Sequence, residues 1–134
     1  MSGNLNALKQ YQSVDLRATI ETASPHKLIS MLLDGALGAL AKAKGACERK
    51  SIEERTSHLN KATEIITGLK GSLDLDKGGE VAGNLDALYD YMLGGVFQAN
   101  RSNDPEKIQE VMNIILEIKQ GWSEMPNEIQ VGDN

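Results

Sequence analysis

The stretch from Thr22 to Leu40, reading TASPHKLISMLLDGALGAL, limits what this chain can fold into more than any other. Ser24 offers a side-chain cap, and Pro25 suits the first helical position, where a missing N–H costs nothing. Leu28, Leu32, Ala36 and Leu40 then fall on one helical row, and Ile29, Leu33 and Leu37 fall on a second, with Met31 at the flank. Together they cover an arc of roughly 200–240°, far wider than the stripe of an ordinary surface helix. Only Lys27, Ser30, Asp34 and Gly38 line the polar side. A helix this apolar must touch two or three neighbours, or one neighbour and a partner.

The remaining chain supplies such neighbours. The spacing predicts this first helix over residues 25–44, with Gly45 as its stop. Ser51-Ile52-Glu53-Glu54 fits a capping box and opens a second helix, whose apolar row is Ile52, Leu59, Ala62, Ile66, Leu69 and Leu73. Residues 74–79 break it with two glycines. A third helix carries Val81, Leu85, Leu88, Met92, Val96 and Ala99 at bundle-seam spacing. Asp104-Pro105 is another cap-plus-proline start, leading to Ile108, Val111, Met112, Ile115, Ile118 and Trp122. Short connections make sequence neighbours antiparallel. The expectation is an all-α fold: an antiparallel up-and-down four-helix bundle with an additional N-terminal helical arm. Residues 1–18 are the arm, marked by Leu5, Leu8, Tyr11 and Val14; residues 19–124 are the bundle and residues 125–134 a flexible tail.

Aromatic residues make up 4% of the 134, so the core must be aliphatic. The net charge of −5 argues against nucleic acid or an anionic membrane as the main partner. Charge is uneven: residues 1–67 hold nine basic and seven acidic side chains, and residues 68–134 hold five and twelve. A single cysteine, Cys47, excludes an internal disulfide framework and fits a reducing cytoplasm. With no leader pattern at the N-terminus and no apolar run approaching ~18 residues, a cytoplasmic protein is expected.

Chemistry-bearing patterns are missing. Ferritin-like di-metal sites need Glu-x-x-His on two helices, but three residues before His26 and His58 stand Ala23 and Arg55. Asp74-Leu75-Asp76-Lys77-Gly78 lacks the third acidic ligand of a calcium loop and reads as a turn. Cys47, beside Glu48 and Arg49, reads as an ordinary thiol. No catalytic residue, cofactor or metal is expected, and the chain is read as a non-enzyme. Six glycines, Gly35, Gly38, Gly68, Gly71, Gly94 and Gly95, fall inside predicted helices, each costing about 1 kcal/mol relative to alanine. Close helix approach is their simplest explanation; a bundle able to loosen around a ligand is the other. Tyr89 falls on the apolar face of the third helix and Tyr91 nearer its polar side.

Several of these stretches occur together in one known family. Tyr11-Gln12, TASPHKLISMLLDGAL, KATEIITGLKGSLD at residues 61–74, NLDALYDYM at residues 84–92 and the late Trp122 closely resemble the flagellin-specific export chaperones of the bacterial flagellar secretion system. The likeness covers about residues 10–124. The chain departs from the family pattern at Leu33, where an aromatic is frequent, and at Gly94-Gly95, where a basic pair is frequent. The resemblance implies a cytosolic helical bundle that binds the disordered C-terminal segment of flagellin, prevents premature polymerisation and assists delivery to the export gate. An export-gate component and the flagellar anti-sigma factor are further partners it implies.

The residues support a binding role independently. A disordered client gives up ordering entropy when bound, and a long apolar surface offsets that cost. Leu28, Leu32 and Ala36 on the first helix, facing Leu85, Leu88, Tyr89 and Met92 on the third, are the expected groove, with Tyr11 of the arm beside them. The alternative use of the excess apolar surface is self-association, as a structural or adaptor bundle.

Overall fold

The computed structural model describes residues 24–124, in which four α-helices and no strand occur: α1 (Pro25–Arg49), α2 (Ile52–Gly71), α3 (Gly79–Ser102) and α4 (Pro105–Glu124). The expected arm (residues 1–18, with Tyr11) and tail (residues 125–134) lie outside the described residues. The chain is an all-α four-helix bundle.

Local chemistry sets most helix ends. The Ser24 hydroxyl accepts a hydrogen bond from the Lys27 N–H at 3.1 Å, capping α1 with Pro25 in its first turn. Gly45 does not stop α1. The helix runs on to Arg49 and ends at Lys50, a non-glycine residue in the left-handed region (φ 60). The Lys50 N–H bonds to the Cys47 carbonyl and the Ser51 N–H to that of Ala46. These bonds satisfy carbonyls that the helix end would orphan, so the terminus forms five residues after the glycine. Ser51 caps α2 by accepting from the Glu54 N–H, and Asp104 caps α4 by accepting from the Lys107 N–H. Between α2 and α3 the chain turns on Asp74, whose carboxylate accepts from the Lys77 N–H and whose carbonyl accepts from the Gly78 N–H. Glycine is required at position 78: a Cβ there would lie 2.5 Å from Ala82 Cβ and 2.8 Å from the Asp74 carbonyl oxygen.

The helices form a ring in which α1 packs on α2 and α4, and α3 closes the ring against the same two. Polar pairs fix the antiparallel registers. Lys70 reaches Asp86 (3.0 Å) and Asp90 (3.6 Å) across α2 and α3. Lys119 pairs with Asp34, and Lys44 donates to Gln109, across α4 and α1. Inside lie Leu33, Leu40, Leu59, Ile65, Ile66, Leu69, Met92, Ile108 and Ile115, all fully buried, so the core is aliphatic as the composition demands. Ile52, counted on the seam of the second helix, is instead exposed, because it stands at the helix start beyond the ring.

Close approach explains only some of the helical glycines. At Gly95 a Cβ would come within 3.0 Å of Val111 Cγ2, so glycine lets α3 and α4 meet. At Gly38, Gly71 and Gly94 a Cβ would meet nothing within 4 Å, so contact does not account for them.

One end of the bundle is tied by a buried cation. Arg55 of α2 donates from Nε to Asn100 Oδ1 (2.9 Å), from Nη1 to Asn103 Oδ1 (2.7 Å) and from Nη2 to the Asn100 carbonyl (2.8 Å). Thr56 donates to the same Asn100 oxygen, and the Asn103 amide donates to the Cys47 carbonyl at the end of α1. A guanidinium at the C-terminal end of α3 also meets the favourable end of its dipole. Arg55→Ala would leave Asn103 Oδ1 and the Asn100 carbonyl, both on half-buried residues, without these partners, so we expect a loss of about 2–4 kcal/mol in urea unfolding. Arg55→Lys should recover only a small part, since an ammonium cannot reproduce the planar fork.

Candidate functional site

At the opposite end, α3 and α4 do not close against each other. From their contact at Gly95 and Val111 an apolar groove of about 220 Å³ opens toward the start of α3 and the end of α4. Val81, Leu85 and Leu88 form one wall, and Ile114, Glu117, Ile118, Gly121 and Trp122 the other. Val81 and Leu88, expected on the core seam, are 39% and 37% exposed because the seam is open there.

Polar contacts bound the groove at both ends. Toward Gly95, the Tyr91 hydroxyl donates to Glu110 Oε2 (2.7 Å), and Lys107 Nζ donates to Glu110 Oε1 (2.8 Å) while lying 5.7 Å from the Tyr91 ring centre. The Lys107 hydrogen bond, then that from Tyr91, hold the Glu110 carboxyl below its ordinary value. At the other end Trp122 is clamped to the start of α1. Its indole N–H donates to the His26 carbonyl (3.1 Å), and the two rings stack with centres 5.4 Å apart and planes 11° apart. The clamp fixes the large apolar surface that ends the groove.

The residues expected to form the binding surface are divided by the structure. Leu85 and Leu88 line the groove. Leu32 (4% exposed), Ala36, Tyr89 (2%) and Met92 belong to the interior, and Leu28 is half-buried against it. The expectation that Leu28, Leu32 and Ala36 face Leu85, Leu88, Tyr89 and Met92 across an open groove is corrected here. The wide apolar arc of α1 packs on two helices at once, with Leu28, Ile29, Met31 and Leu37 half-buried at its edges. Sequence reading missed Val81, Ile114, Glu117, Ile118, Gly121 and Trp122 as groove residues. One signal was available: Ile114 is a large aliphatic residue off the core row of the last helix.

Other chemistry-bearing side chains are structural. Cys47 is buried, and burial pushes its thiol above the ordinary value, which opposes thiolate formation. Among the described residues, no group of three or more His, Cys, Asp or Glu side chains is placed to hold a metal ion, and no helix is long and apolar enough to cross a membrane.

A helical bundle with an apolar groove open between two of its helices, among the described residues, has the form of a binding protein. Residues 7–129 match the family described as flagellar protein FliS. The chain is 48% identical over 118 residues to the flagellar secretion chaperone FliSB of Pseudomonas aeruginosa, covering 88% of this chain and 94% of that relative. It is 40% identical over 128 residues to the flagellar secretion chaperone FliS of Vibrio cholerae (96% and 92% covered) and 41% identical over 121 residues to that of Salmonella typhimurium (90% of each). The chain belongs to the FliS family.

Tyr89 gives the interior a pH signature. Its hydroxyl makes no hydrogen bond among the described residues, and burial pushes its pKa up to about 12. An unfolded tyrosine ionises near pH ~10, so the unfolded chain loses this proton first, and the stability tied to it falls between about pH 10 and pH 12. Tyr89→Phe should lack that part of the alkaline loss. It should be at least as stable as wild type at pH 7, since no partner is left behind. Thermal unfolding of both proteins across pH 7–12 checks this.

Proposed function

We propose that this chain is a cytoplasmic export chaperone for flagellin: it holds the disordered C-terminal segment of the newly made subunit, keeps it from polymerising early and assists its delivery to the secretion apparatus. The names of the relatives support the export-chaperone part. The observation that carries the flagellin part is the α3–α4 groove, an apolar seam left open between two helices of the bundle. A segment that is disordered before binding needs such a surface to offset its ordering entropy. The amphipathic face of a helix, presenting apolar residues at i, i+3, i+4 and i+7, is the shape that fills it. An export-gate component and the flagellar anti-sigma factor are further partners in this reading.

Two aspartate variants test it by calorimetry and circular dichroism with a peptide of the flagellin C-terminal segment. Leu88→Asp places a charge on the open wall, so helicity should stay at the wild-type level while affinity drops by at least about tenfold. Leu32→Asp buries the same charge in the core and should unfold the bundle. Wild-type affinity in a folded Leu88→Asp protein would refute the groove as the client site.

A further inference from the structure

Gly121 is a residue that the bundle itself does not need. It sits inside α4, where alanine favours the helix, and a Cβ there would meet no heavy atom within 4 Å. Gly95 differs, because the contact with Val111 explains it. Gly121 nevertheless lines the groove, one turn along α4 from Glu117, which lines it too. Glu117 is the charged side chain of the lining, is exposed, and takes part in no ion pair or hydrogen bond among the described residues. Glu110 on the same helix is engaged by both Lys107 and Tyr91. The α4 wall therefore offers, side by side, a place without a side chain and an unneutralised carboxylate, on an otherwise apolar surface.

We propose that Gly121 and Glu117 select what the groove accepts, an inference that rests on the flagellin reading above. Gly121 lets the backbone of the bound flagellin segment run against α4 where a methyl group would hold it off. Glu117 pairs with a lysine or arginine of that segment. The occupant is thus an apolar row flanked, within about one helical turn, by a basic side chain. Charge complementarity sets the register, and apolar burial in the groove supplies the affinity.

The test uses the full chain and the flagellin C-terminal peptide, with a second peptide whose lysines and arginines are replaced by glutamine. Gly121→Ala and Gly94→Ala should each raise Tm by about 2–4 °C, because neither methyl meets an obstacle in the bundle. Gly94 is not a groove residue, so its variant should bind as wild type does, whereas Gly121→Ala should bind about tenfold more weakly. A gain in stability with a loss in affinity is an outcome that a purely structural glycine would not give. Glu117→Gln should weaken binding of the natural peptide about threefold and leave that of the glutamine peptide unchanged. Wild-type affinity in Gly121→Ala, or an equal effect of Glu117→Gln on both peptides, overturns the proposal while Leu88→Asp still abolishes binding. Unchanged binding by Leu88→Asp removes the groove reading, and this inference with it.

Discussion

The burial of α1 on two sides is the constraint that the rest of the structure obeys. Its apolar arc is too wide for one contact, and the ring gives it two, on α2 and on α4. Leu33, Ala36, Ala39, Leu40 and Ala43 disappear completely or almost so, and alanine at three of these places lets the backbones approach. With α2 and α4 committed to α1, α3 closes the ring against both. It meets α4 tightly where Gly95 permits and leaves the seam open beyond. The groove thus begins where the close α3–α4 contact ends.

The two ends of the bundle differ in kind. At one end Arg55 joins the ends of α1, α2 and α3 through a network in which each of its hydrogen bonds goes to a carbonyl-type oxygen. No carboxylate neutralises it in those contacts; amide dipoles and the end of α3 do so instead. Breaking such a network costs more than making it gains, so this end is held in one arrangement. At the other end Trp122 and His26 share a ring stack, the indole hydrogen bond and a longer contact (3.4 Å) between His26 Nε2 and the Trp122 carbonyl, and Lys70 pairs with Asp86 and Asp90. Local opening free energies follow the density of buried contacts.

Much of the architecture was legible in the sequence. Ser24-Pro25, Ser51 and Asp104-Pro105 marked three helix starts because capping is chemistry within a few residues. The 3/4 spacing identified the seams, and the shortness of the connections set the antiparallel order. Gly45 misled, because a glycine stops a helix only if the chain takes the left-handed turn there, and the carbonyls of Ala46 and Cys47 found their partners at Lys50 and Ser51. The position of the open groove was not legible for a related reason. Leu32 and Leu88 carry the same side chain on helices of similar pattern, and one is core while the other is a groove wall.

The sequence by itself determined which residues are helical, which faces are apolar and that the apolar area exceeds what one neighbour can cover. Those properties are local, set by caps and by a period of ~3.6 residues within single helices. Tertiary structure alone decided where the excess would be left uncovered, and so that the open seam runs along Leu85 and Leu88 instead of along α1. That choice depends on distances between helices, down to the single missing Cβ at Gly95 that brings α3 onto Val111. No pattern within one helix encodes the gap between two.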